Sequence, residues 1–159
     1  MKLVRLSLSA IVFLAALWPN VPGPATAHEG HTHFSAGEPG DPQKPSRTIE
    51  VGMSEMAYAP ARIEVKRGEQ IRFVIRNTGA DEHEFLLATT EENLKHAKAM
   101  MENPQMEHDE PNGVRLAAKK SAEILWKFTH AGTFEYSCLI PGHRDGGTTE
   151  PARCAGAAE

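Results

Sequence analysis

The segment QIRFVIRN, residues 70–77, fixes its own local structure. Ile71, Phe73 and Ile75 fall on one side and Arg72 and Arg76 on the other, the two-residue period of a half-buried strand. Shorter stretches repeat the signal. Thr48 to Met53 alternates, and Ala61 to Val65 continues it with Ile63 and Val65 on one face. Glu82 to Ala88 aligns His83, Phe85 and Leu87; Ser121 to His130 aligns Ile124, Trp126 and Phe128; Thr133 to Cys138 is the last clear strand. Arg67-Gly68-Glu69, Asn77-Thr78-Gly79 and Ala131-Gly132 supply turns between them. Many short strands with such punctuation predict an all-β fold, an antiparallel β-sandwich.

One segment changes period. Thr89 and Glu92 have the spacing of a capping box, and Asn103-Pro104 is a stop signal, so a helix is predicted between them, to about Glu102. Leu94, Ala97 and Met101 are its expected apolar face. Gln105 to Asn112 reads as an acidic loop.

The ends of the chain differ from the middle. Lys2 and Arg5, the apolar run Leu6 to Trp18 and the small-residue site Ala25-Thr26-Ala27 predict a secretory signal peptide over 1–27. The run is short for a membrane span, so no membrane attachment is expected after cleavage. Removing the leader leaves 15 basic against 21 acidic residues, a net charge of -6. With no basic block, nucleic acid is not an expected partner. Residues 28–46 are polar and lack periodicity, and are expected to form a flexible histidine-containing arm before a single domain over 47–147. No dinucleotide, P-loop or serine-hydrolase motif is present.

Chemistry concentrates at three positions. Phe134, Tyr136 and Cys138 share one parity, so the Cys138 sulfur points coreward at a strand end. His143 follows at C-x4-H spacing across Pro141-Gly142, and His83 shares the core parity of a distant strand. One thiolate and two imidazoles at one end of a sandwich suit a trigonal copper site. Zinc accepts the same donors but usually takes four in structural sites. Each residue taken alone could instead be a buried thiol, a core histidine and a turn residue.

The segments DEHEF (81–85) and FEYSCLIPGH (134–143) resemble the cupredoxins, small blue or green copper proteins. HFSAGEPGDPQKPSRTIEV, RIEVKRGEQIRFVIRNTG and EHEFLLATTEENLKHA are similar to a periplasmic branch linked to copper tolerance. The resemblance spans Phe34 to His143. It implies a Greek-key β-sandwich and one type 1-like copper, with His83, Cys138 and His143 as equatorial ligands.

The pattern then breaks. The family continues with a glycine, an axial methionine and a closing strand. Gly147 matches the glycine, but Thr148 stands where the methionine belongs, and no methionine follows Met106. Residues 148–159 lack apolar alternation and are expected to form an atypical tail without the closing strand. Two origins are open: a variant whose axial position goes to Thr148, a backbone oxygen or water, or a reading-frame shift after about Gly147. Cys154 in that tail adds the hazard of a Cys138–Cys154 disulfide, which would remove the thiolate.

Two further groups carry metal-binding side chains. His28, with the free amine expected after cleavage, lies near His31 and His33; the cluster can bind Cu(II) or Zn(II), or be a solvated tail. His96 and Met100 share a helix face, with Met101 expected as core filler and the others exposed.

The functional expectation is a periplasmic copper-binding cupredoxin acting in electron transfer, copper tolerance or both. The alternative is a non-redox copper chaperone or sequestration protein. A redox partner or a copper donor or acceptor protein would be its partner. No enzyme activity is expected, because one mononuclear site offers no second copper cluster. Cuprous oxidase turnover would overturn that expectation. Oligomeric state is not encoded in any of these features.

Overall fold

The computed structural model describes residues 33–44, 46–103, 110–144 and 149–155. Among them are ten strands and one helix. In chain order these are β1 (Glu38–Pro39), β2 (Arg47–Ser54), β3 (Ala57–Ala59), β4 (Ile63–Lys66), β5 (Gln70–Asn77) and β6 (His83–Ala88). Then come α1 (Thr90–Glu102), β7 (Gly113–Leu116), β8 (Ser121–Lys127), β9 (Gly132–Ser137) and β10 (Thr149–Ala155). The expected signal peptide, His28 and His31 lie outside the described residues. No helix among the described residues is long and apolar enough to cross a membrane.

Two five-stranded sheets face each other, ordered β1-β8-β5-β2-β3 and β4-β10-β9-β6-β7. The all-β sandwich with one inserted helix is therefore the observed architecture. Most pairs are antiparallel, but β2 pairs β5 in parallel and β10 pairs β4 in parallel. Alternation reveals which face a residue takes, not which direction its neighbour runs. The core between the sheets holds Phe73, Ile75, Phe85, Leu87, Trp126, Phe128 and Tyr136, all fully buried.

Three expectations are corrected. The first concerns the arm. Phe34 packs edge-on against Trp126 with ring centroids 5.4 Å apart, Ala36 is fully buried, and β1 pairs with β8. Residues 34–39 thus belong to the sandwich, although they have no periodicity. A single aromatic anchor and a two-residue bridge do not need one.

The second concerns the tail. β10 runs between β9 and β4, with Thr149 opposite Ser137 and Cys154 opposite Gly132. A strand with a backbone ladder on both sides needs few apolar side chains, and Ala152 takes its place in the core. The same register separates Cys154 from Cys138 by six residues of strand, about 20 Å. A disulfide needs Cα atoms within about 7 Å, so that bridge cannot form in this fold.

The third concerns the helix. Its capping box forms as expected, with Thr89 and Glu92 exchanging bonds. Its buried face is rotated, however. Asn93 and Met100 point inward, while Leu94 is 53% and Met101 64% exposed. Met100 joins Leu86 and Leu139 in a small second cluster, with Ala97 against it. The helix rests on a partly polar sheet face, so asparagine rather than leucine meets it.

Candidate metal centre

The chain is led to the site by two tightly held loops. Asn77 ends β5 with its amide donating to the carbonyls of Asp81 and Leu116 and its oxygen accepting from the Gly79 amide. The Glu55 carboxylate accepts from the backbone amides of Ala80 and Asp81. A Cβ at position 79 would lie 2.5 Å from a Glu55 oxygen, so a larger residue there would push that carboxylate aside. This loop delivers His83 as the first residue of β6. The second loop leaves β9 through Cys138. The His143 amide donates to the Ile140 carbonyl at 3.0 Å, and Gly142 has φ +88°. Pro141 and Gly142 hold the two central positions of a type II turn, which fixes φ at one and needs positive φ at the other.

The loops bring His83, Cys138 and His143 together. One ligand atom from each lies within 4.8 Å of the others. Cys138 Sγ is 3.4 Å from His143 Nδ1, and the two imidazole centroids are 5.1 Å apart. Cys138 is a free thiol and fully buried, His83 is 1% exposed, and His143 is half-buried at the outer edge.

Burial leaves this cluster chemically unsatisfied. Neither ring nitrogen of His83 has a hydrogen-bond partner. A buried polar atom left unpaired costs about 1–3 kcal/mol. Burial pushes the Cys138 thiol up, against the lowering effect of the Glu84 and Ile140 backbone amides. It also pushes His83 down, and the nearby His143 adds to that. Metal-free, the site is therefore a neutral thiol beside a neutral imidazole. A cation reverses both tendencies, because a coordinated thiol loses its proton. One soft sulfur and two imidazoles fit a copper ion. No other group of three such side chains converges this closely among the described residues.

Sequence periodicity missed the support around these donors. Glu84 follows His83 and is 2% exposed. Its amide donates to Cys138 Sγ at 3.4 Å, and its carboxylate accepts from the Leu139 amide at 3.1 Å. Tyr58 donates its hydroxyl to the Glu84 carbonyl. One residue thus joins the His83 strand to the Cys138 strand on both sides of the sulfur. Burial raises the Glu84 carboxyl above its ordinary range, with the Leu139 amide opposing. Alternation put Glu84 outward, and nothing in the sequence marks the cover that α1 provides.

Of the accessory residues, His33 is exposed and stacks loosely against His130 at 6.0 Å. His96 lines a cavity between α1, β6 and residues 33–35. Among the described residues neither joins a three-residue metal cluster, and the His28 and His31 partners expected for His33 lie outside them. Thr148 lies outside the described residues.

Residues 10–148 match the family described as cupredoxin-like domain. With a sandwich of this topology around a His-Cys-His cluster, the chain belongs to the cupredoxin-like family. It is 45% identical over 157 residues to the copper-resistant cuproprotein CopI of Rubrivivax gelatinosus, covering 90% of this chain and 93% of that protein. Identity is 35% over 153 residues to the CopI protein of Pseudomonas aeruginosa, covering 77% and 84%. Among solved structures, auracyanin B superposes with a TM-score of 0.62 at 20% identity, over 76% of this chain and 96% of that one. That last likeness speaks to the fold alone.

Proposed function

We propose that this chain is a periplasmic copper-tolerance protein that holds one type 1-like copper ion through His83, Cys138 and His143. The convergence of three donors within 4.8 Å in a buried pocket, with both His83 nitrogens otherwise unused, carries the reading. The relatives named copper-resistant cuproproteins support tolerance as the role. They are named as cuproproteins rather than enzymes.

When bound, copper would supply a one-electron couple and a tightly held thiolate bond. The chain's own contribution is geometric. β6 and β9 fix two donors on neighbouring strands, and Glu84 locks those strands together. The dry surroundings of Cys138 keep the thiol protonated until a cation displaces the proton. His143, at the half-exposed edge, is the donor through which ion or electron would pass.

Growth in copper tests the role. A copper-sensitive Gram-negative host carrying the full chain should regain tolerance, and one carrying Cys138→Ser should not. Equal tolerance with both would overturn the role. The half-exposed His143 favours electron transfer as a second reading. A reversible one-electron couple with an exchange partner, without any effect on growth in copper, would select it.

A further inference from the structure

His143 and Arg144 are neighbours in sequence but grip opposite faces of the same strand. His143 turns inward to the Cys138 sulfur. Arg144 turns outward and back along β9, donating from Nη1 to the Glu135 carboxylate and to Ser137 Oγ at 2.8 Å. Phe134, Tyr136 and Cys138 occupy the inner face of this strand, so Glu135 and Ser137 occupy the outer one.

The outer cluster is buried and closely bonded. The side chains of Arg144 and Glu135 are 17% and 9% exposed. Glu135 also accepts from Thr90 Oγ1 at 2.9 Å, Asn93 Nδ2 at 3.0 Å and Ser137 Oγ at 3.1 Å. Thr90 and Asn93 belong to the first turns of α1. A single carboxylate therefore ties the helix, the strand and the loop that carries His143. Burial disfavours its charge, but the bonds from Arg144, Asn93 and Thr90 outweigh that and hold its carboxyl below the ordinary range. Such a network is rigid only when every member is present.

We propose that Arg144 is the positioning residue of the metal centre: anchored on Glu135, it clamps the loop that holds the His143 imidazole against Cys138. The inserted helix is then part of the site's support, although it supplies no donor. This inference rests on the copper reading above, and its test separates the two. Outer partners of metal donors typically change affinity about 10- to 100-fold when removed.

The experiment compares Arg144→Ala, Arg144→Lys and Glu135→Gln with the wild-type chain. Glu123→Gln, which breaks the exposed Arg72 pair on the other sheet, is the control. Each is loaded with one equivalent of Cu(II). The visible spectrum and the affinity against a competing chelator are recorded, with folding checked by circular dichroism. Arg144→Ala is expected to shift the thiolate-to-copper band and lower affinity about 10- to 100-fold. Arg144→Lys should recover part of the loss, because an ammonium reaches one acceptor but not both. Glu135→Gln keeps the shape of the cluster and should shift the band in the same direction by less. Glu123→Gln should leave it unchanged.

A wild-type spectrum in folded Arg144→Ala would overturn the proposal, as would one in Glu135→Gln should the alanine variant fail to fold. If the wild-type chain itself shows no such band, the copper reading fails instead. The clamp is then read in the metal-free protein by the His143 ring proton signals. One sharp set in wild type and averaged signals in Arg144→Ala support it; identical signals refute it.

Discussion

The two sheets bury their residues by different rules. In the sheet built on β5, burial alternates: Ile71, Phe73 and Ile75 are buried, while Arg72 and Val74 are partly exposed and Arg76 is exposed. One face meets the core and the other meets water. In the sheet that carries the donors, every residue of β6 is buried, and so are the last four of β9. Helix α1 contributes to the cover on that outer face. The polar residues there, Glu84, Glu135 and Ser137, cannot reach solvent and are bonded to each other, to the backbone or to Arg144. A metal donor needs a fixed and dry surrounding, and a strand buried on both faces provides it. Both sheets supply the core between them, and the second also gives up a solvated face to hold a site.

Truncation should expose this contrast most strongly. Phe73→Ala removes a fully buried ring from between the sheets and is expected to cost about 3–5 kcal/mol in denaturant unfolding. Outer-face carboxylates then divide the sheets. Glu135→Ala leaves the Arg144 guanidinium without its buried partner and should cost about 3 kcal/mol. Glu123→Ala breaks a pair whose side chains are 40% and 54% exposed, and should cost at most about 1 kcal/mol. Equal losses at 135 and 123 would break the distinction between the sheets.

Acid should sharpen it. The Glu135 carboxyl is lower in the folded chain than in the unfolded one. Its contribution is therefore fully present above the ordinary carboxylate range and is lost as pH falls through the lowered folded value. Glu135→Gln should flatten the acid limb of the stability profile relative to wild type. A smaller effect is expected at the helix start. Thr89→Ala removes the cap bond to the Glu92 amide and should cost about 1 kcal/mol, loosening the cover over β9.

This division also explains what was legible in the sequence. β5 was readable residue by residue because its two faces meet different environments. The parity that placed His83 and Cys138 inward came from the same rule, and Pro141-Gly142 announced the turn that returns His143. What alternation could not show was a second buried face. Alternation puts Glu84 and Glu135 on the outer face and carries no sign that this face is covered. The helix face was misjudged for the same reason: Asn93, not Leu94, turns inward to meet Glu135. β10 was missed because its place is set by ladders to β9 and β4, and backbone pairing leaves little pattern in side chains. Arg144 carries no signal in the sequence, and the structure gives it a partner nine residues earlier in the chain.

The central claim is that Cys138, His83 and His143 form one copper site. The most direct measurement is an optical titration of the purified protein with Cu(II), beside Cys138→Ser. An intense visible thiolate-to-copper band that saturates at one equivalent, and is absent from the serine variant, is the expected result. Copper binding without that band, or the same spectrum from both proteins, would contradict the claim.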